Sequence, residues 1–216
     1  MPGEVADIAL MTESPGLGDS SPNALSSLAP VIERAKAGDM AAFEQIIEHH
    51  QRRVITTAWR MLGNSEDARD AAQEVFLRVY KYLRGFRSDQ DFAAWLYRIV
   101  INVCRDHARI RSRHSGFASF EVEQELGSFD SLASTGNIES EMIQAQQRAM
   151  IDEALKTLSK KERAAIVLRD LEGLSTEKVA EVLGSSQTTV RSQISSARAK
   201  IKKYRERVFK QTRRME

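Results

Sequence analysis

Cysteine is almost missing: Cys104 stands alone in 216 residues, which excludes an internal disulfide framework and a cysteine-built zinc site. Proline (4) and glycine (11) are sparse and aromatics make up only 6%, while 29% of residues are charged. Those proportions favour helices over a turn-rich β architecture. No apolar run reaches membrane-spanning length, and residues 1–30 lack the basic-then-apolar order of a signal peptide. A cytoplasmic protein with no membrane insertion of its own is expected. The glycine signatures of P-loop and dinucleotide-binding proteins are also missing. So is any Glu-x-x-His pair of the kind a di-metal helical bundle needs, and the adjacent His49 and His50 diverge on a helix. No catalytic residue, metal site or cofactor is therefore expected, and Cys104 reads as core.

What is present is charge, unevenly placed. The formal net charge is +2. Residues 1–30 hold Glu4, Asp7, Glu13 and Asp19 and no base. Residues 115–147 hold Glu121, Glu123, Glu125, Asp130, Glu139 and Glu141 and no base. The positive charge is thus concentrated in two blocks on either side of an acidic one, as in two polyanion-facing domains on a tether.

The apolar pattern divides the chain in the same places. Residues 1–29 are rich in Ser, Pro and Gly and read as a disordered tail. Helical spacing then links Phe43, Ile46, Ile47, Val54, Ala58, Met61 and Leu62, with Gly38-Asp39 as the preceding stop and cap. Gly63-Asn64-Ser65 ends that helix and caps a second, which carries Ala68, Ala72, Val75, Phe76, Val79 and Leu83 and closes at Gly85. After a polar loop, a third helix places Phe92, Trp95, Leu96, Ile99, Val103 and Ile110 on one side. Periodicity fails from about Arg111 to Ser140, so residues 113–144 read as a flexible acidic linker. It resumes with Met150, Ile151, Leu155 and Leu158, and Ser159-Lys160-Lys161-Glu162 is a capping box. No segment alternates with period two. The expected fold is all-α, with two small helical domains at 30–112 and 145–210 and a basic tail at 211–216.

From Ser175 to Lys203 the chain has the dimensions of a helix-turn-helix: a short helix capped by Ser175, a turn at Gly184-Ser185-Ser186, then a longer helix. Turning by about 100° per residue puts Val190, Ile194, Ala197 and Ile201 inward. Thr188, Ser192, Ser195 and Lys202 then face outward, with Arg191 and Arg198 on the flank. Small hydroxyl side chains allow close approach to a major groove, and arginines bond guanine edges or phosphates. The basic extension through Lys200, Lys202, Lys203 and Arg205 favours DNA over an ordinary helical hairpin. In the first domain, Arg98, Asn102, Arg105 and Arg109 form a second polar stripe, suited to base edges and phosphates.

The run ARDAAQEVFL at 68–77, followed by FAAWLYRI at 92–99 and NVCRD at 102–106, resembles region 2 of the extracytoplasmic-function (ECF) sigma factors. LSKKER at 158–163, LEGLS at 171–175 and TVRS at 189–192 resemble their region 4. The likeness covers roughly 30–112 and 145–205, in the family's order. It implies a sigma region 2 helical bundle and a sigma region 4 helix-turn-helix, and a factor that brings core RNA polymerase to promoter DNA for a stress or envelope-response regulon. By the same resemblance Asp70, Gln73, Glu74, Leu77 and Arg78 dock on the polymerase clamp. The loop Arg87, Ser88, Asp89, Gln90 and Asp91 captures a base flipped from the minus-ten element, and Arg98, Asn102 and Arg105 line the strand's path. Thr188, Arg191, Ser192, Ser195, Arg198 and Lys202 face the minus-thirty-five duplex. An anti-sigma factor is an expected partner. Lys178, Gln193, Ser195 and Ser196 depart from common family choices and are expected to shift promoter preference. The alternative reading is a free-standing helix-turn-helix regulator, which would leave the first domain without a purpose.

Overall fold

The computed structural model describes residues 22–114 and 149–212, which fall in two compact units. All but the first two residues of the expected linker, most of the N-terminal tail and the end of the basic tail lie outside the described residues. Within them every regular element is helical.

The N-terminal unit contains α1 (Pro22–Lys36), α2 (Met40–Leu62), α3 (Ser65–Tyr82), a 3-10 turn (Leu83–Gly85) and α4 (Phe92–His114). Helices α2, α3 and α4 pack pairwise against one another, and α1 lies on α2 and the 3-10 turn. The boundaries follow from caps. The Asp39 carboxylate accepts from the Ala42 N–H at 3.1 Å, and the Asn64 side chain accepts from the Asp67 N–H at 3.0 Å. Between them Gly63, at φ 73°, takes the left-handed conformation that ends α2. Glu66 and Asp67 occupy the first turn of α3, where the helix dipole favours carboxylates. Val54, Val75, Val79, Val100, Ile101 and Val103 form the core and are fully buried or nearly so. Each contributes roughly 1.5–3 kcal/mol by leaving water.

Three expectations about this unit are corrected. Helix α1 begins at Pro22, inside the segment read as a disordered tail. A proline is tolerated in a helix's first turn, where its N–H would have no partner. Further along, the buried stripe Leu28, Ile32 and Ala35 runs behind Pro30, which faces solvent. The burial of α4 is also rotated from the expected side. Leu96, Val100, Val103 and Cys104 are buried, whereas Trp95 and Ile99 are half-buried shoulders and Ile110 is exposed. The helix also continues through Arg111 to His114, where the periodicity had been read as failing.

The C-terminal unit contains α5 (residues 149–156), α6 (Lys160–Ile166), α7 (Thr176–Leu183) and α8 (Gln187–Thr212). Helix α6 packs on α8, and α7 on both. Ser159 and Glu162 form the expected reciprocal capping box. Beyond Ile166 the helix widens into a π turn over Val167–Leu171 before Gly173, at φ 76°, reverses the chain. Ala165, Val167, Leu168, Val179, Val190 and Ala197 form the core. The C-terminal end of α5 is tied down by Arg163, whose Nε donates to the Leu155 carbonyl at 3.0 Å.

Candidate nucleic-acid interface

On α3, Asp70, Gln73 and Leu77 share one outward face, with Glu74 and Arg78 half-buried beside them. Leu77 is 65% exposed, an apolar side chain amid charges. Arg78 is held in place: its Nε donates to Glu74 at 2.8 Å, and its Nη atoms reach Asp106 of α4 at 3.4 Å. The stripe continues one turn further than sequence reading took it. Tyr80 is 56% exposed, and its ring meets Phe43 edge-on at 5.1 Å. Continuing the i, i+3, i+7 series from Asp70 would have reached it.

The loop after the 3-10 turn stands on an aromatic base. Phe86 and Phe92, both buried, flank it and pack their rings edge to face at 5.3 Å. Trp95 closes the cluster at 5.1 Å from Phe86 and 5.5 Å from Phe92. His50 of α2 lies under Phe92 at 5.5 Å. Burial lowers its pKa to about 4, with His49 and Arg53 adding to the effect, so this imidazole is neutral core.

The five loop residues have different duties. Asp91 caps α4, its carboxylate accepting from the Ala94 N–H at 3.1 Å. Arg87 forks onto Asp89 at 3.1 and 2.7 Å. The Ser88 hydroxyl donates to Glu33 of α1 and accepts from Lys36 at 3.0 Å. Gln90 is exposed, and its backbone N–H closes a turn on the Arg87 carbonyl at 3.0 Å. The part played by α1 was missed in the sequence because Glu33 and Ser88 are 55 positions apart.

Beyond the loop, Arg98, Asn102, Arg105 and Arg109 are all exposed on one side of α4, opposite Leu96 and Val100. Asp106 borders this stripe and accepts from Arg109 at 3.2 Å. The same carboxylate serves Arg78, so the α3 face and the α4 stripe share one anchor.

In the C-terminal unit the turn between α7 and α8 is built from Gly184, left-handed at φ 62°, and Ser186, whose hydroxyl accepts from the Thr189 N–H at 3.1 Å. Thr188, Arg191, Ser192, Ser195 and Lys202 are exposed along α8. Val190, Ile194 and Ala197 are buried behind them, and Ile201 is half-buried.

Arg198 differs from this exposed set. Its guanidinium makes two hydrogen bonds to Asp170, at 3.0 and 2.8 Å, and that carboxylate is only 9% exposed. The pair ties α8 to the π turn. Two departures from family habit also serve the interior. The Ser196 hydroxyl donates to Glu162 at 2.6 Å, and Gln193 is half-buried with its amide oxygen covered. Lys200 reaches both Glu162 oxygens at 2.8 Å. Hydrogen bonds from Lys200, then Ser196 and Ser159, hold the Glu162 carboxyl down at about 2. Both side chains are thus turned at least partly toward the interior, Ser196 with a partner on α6.

Among the described residues no group of His, Cys, Asp and Glu could hold a metal ion. Burial pushes the Cys104 thiol up to about 12, far from the range of a reactive thiolate. No helix among them is long and apolar enough to cross a membrane.

Comparison with known proteins matches these two units separately. Residues 46–114 match the family model for sigma-70 region 2, and residues 148–201 that for sigma-70 region 4. The RNA polymerase sigma-H factor of Pseudomonas aeruginosa is 33% identical over 80% of this chain and 91% of its own length. The ECF RNA polymerase sigma-E factor of Escherichia coli is 33% identical over 79% and 90%. Among solved structures, CnrH in complex with the cytosolic domain of CnrY aligns over 82% of this chain and 96% of CnrH, with TM-score 0.60 and 25% identity. The sigma factor RpoE of Bartonella quintana, solved with the anti-sigma factor NepR, shares the fold at TM-score 0.60 and 23% identity, over 76% of this chain and 96% of its own.

Proposed function

This chain belongs to the ECF sigma factors, and from that premise we propose a division of labour between its two units at the residue level. Residues 30–112 act as the region 2 domain and 145–210 as the region 4 domain. The N-terminal unit docks on core RNA polymerase through Asp70, Gln73, Glu74, Leu77 and Arg78, with Leu77 as the apolar anchor in a charged rim. The loop Arg87–Asp91 receives an unstacked base of the minus-ten element, and Arg98, Asn102 and Arg105 guide the non-template strand. The C-terminal unit lays α8 in the major groove of the minus-thirty-five duplex, with Thr188, Arg191, Ser192 and Ser195 toward the bases and Lys202 toward phosphate. Arg198 contributes by bracing that helix on Asp170.

The observation that carries this reading is the pairing of two differently built polar surfaces in one chain. One is a pinned loop beside a basic stripe on α4, and the other is a hydroxyl-fronted recognition helix. A free-standing operator-binding regulator needs only the second. The chain works in the cytoplasm, and the catalysis belongs to the polymerase. CnrH and RpoE were each solved with a cytosolic or anti-sigma partner, and this chain takes an anti-sigma factor in the same way.

Purified core polymerase, with and without the protein, on fragmented DNA from the source genome tests the reading. Protein-dependent initiation at discrete sites is expected. Silence from folded protein that still binds duplex DNA unaided would favour the free-standing regulator instead.

A further inference from the structure

The recognition loop does not hold its own shape: part of its bracing comes from α1. The Ser88 hydroxyl donates to the Glu33 carboxylate, and the Lys36 ammonium is shared between Ser88 at 3.0 Å and Glu33 at 3.1 Å. Both α1 residues sit one turn apart on the helix that packs against the 3-10 turn leading into the loop. Glu33 is held below the ordinary carboxylate range, first by Ser88 and then by Lys36, so it stays an acceptor across the physiological range. Inside the loop, Arg87 and Asp89 satisfy each other and Asp91 is committed to capping α4. Gln90 is left exposed, with no side-chain hydrogen bond among the described residues. Its amide offers both a donor and an acceptor, the pair of groups needed to read the edge of an unstacked base.

We propose that Glu33 and Lys36 are positioning residues for promoter discrimination: by fixing Ser88 they set the loop backbone that presents Gln90 to the captured base. The inference rests on the reading of Arg87–Asp91 as a base-capturing loop. It adds that discrimination at this base depends on a helix distant in sequence that does not itself touch the base. A charge-assisted network of three groups restrains a short loop more firmly than neutral hydrogen bonds of the same number. Restraint matters here because a mobile amide pairs with several bases, and a fixed one selects.

The test uses the full chain with core polymerase and a promoter library randomised one position at a time across the minus-ten element. Wild type is expected to favour one base sharply at one position. Gln90→Ala should reduce that preference on the order of tenfold, the loss of a two-bonded base contact. Glu33→Gln, which keeps an acceptor but removes its charge, and Ser88→Ala, which removes the hydroxyl, should each reduce it about threefold at the same position. Preferences elsewhere, core binding and duplex binding by the C-terminal unit should not move. Ser88→Thr, which keeps the hydroxyl, should restore the preference.

If Gln90→Ala flattens the preference while Glu33→Gln and Ser88→Ala leave it intact, the bracing role is overturned and the loop's role stands. If no substitution in Arg87–Asp91 alters any minus-ten preference, the base-capture reading itself fails. A uniform loss of transcription from every library member, with core binding intact, would also contradict a role in discrimination.

Discussion

The two units solve different recognition problems with opposite uses of their polar side chains. In the N-terminal unit the candidate nucleic-acid loop is pinned: Ser88 to α1, Arg87 to Asp89, Asp91 to its own helix, above the Phe86–Phe92–Trp95 cluster. In the C-terminal unit the front of α8 is left open, and the fixing is done from behind by Arg198–Asp170 and by Lys200 and Ser196 on Glu162. The difference fits the two substrates proposed for these units. A single strand offers no rigid frame, so the protein must supply one. A duplex has its own, so a helix with short side chains need only be held at the right angle.

The comparison breaks most visibly if the pedestal under the loop is removed. Phe92→Ala should destabilise the N-terminal unit by about 3–5 kcal/mol through the cavity it leaves. Hydrogen exchange on the full chain should show lost protection in residues 28–113 and unchanged protection in 149–210. Loss in both would mean that the units do not fold independently.

Next in size is the polymerase face. Leu77→Ala should weaken binding to core polymerase by about 2 kcal/mol, as for a buried anchor, without changing either unit's stability. A titration of labelled core reads it, and an unchanged affinity would remove Leu77 from the interface.

The brace behind α8 comes third. Asp170→Ala should cost the C-terminal unit about 1–2 kcal/mol, less than a fully buried pair because Arg198 is partly in water. Its effect on duplex binding should be uniform across sequences. A relaxed preference at a single base pair would instead give Arg198 a direct contact.

Acid sensitivity reads the other half of that brace. Glu162 titrates at about 2 in the folded chain against an ordinary 4.5, so its stabilisation is complete above 4.5 and disappears as pH falls toward 2. Glu162→Gln should lower the protection of the C-terminal unit at neutral pH and flatten its decline in acid. An unaltered acid profile would show that another carboxylate governs it.

Much of this was legible in the sequence because it is local. Asp39, Asn64, Ser159 and Ser175 cap helices by rules that span three or four residues, and the inward face of α8 follows from one helical period. What the sequence hid depends on distant partners. That Arg198 is held by Asp170, and that the Ser196 hydroxyl is held by Glu162, appears only once residues 28 and 34 positions apart are brought together. The start of α1 was hidden because Ser- and Pro-rich composition masked the stripe Leu28, Ile32 and Ala35. The burial of α4 was rotated because Trp95 and Ile99 look like core by type, whereas the packing of α2 and α3 decides which side is covered.

The most direct test of the division of labour is chemical probing of unpaired thymines, alongside upstream footprinting, in the complete polymerase complex on one promoter. Asn102→Ala with Arg105→Ala should suppress the unpaired-thymine signal while the upstream duplex stays protected. Arg191→Ala should cost about 1–3 kcal/mol in upstream protection, and on a template already opened at the minus-ten element it should leave strand capture intact. If either set of substitutions abolishes both signals equally on the pre-opened template, strand capture and duplex reading are not separable between the two units.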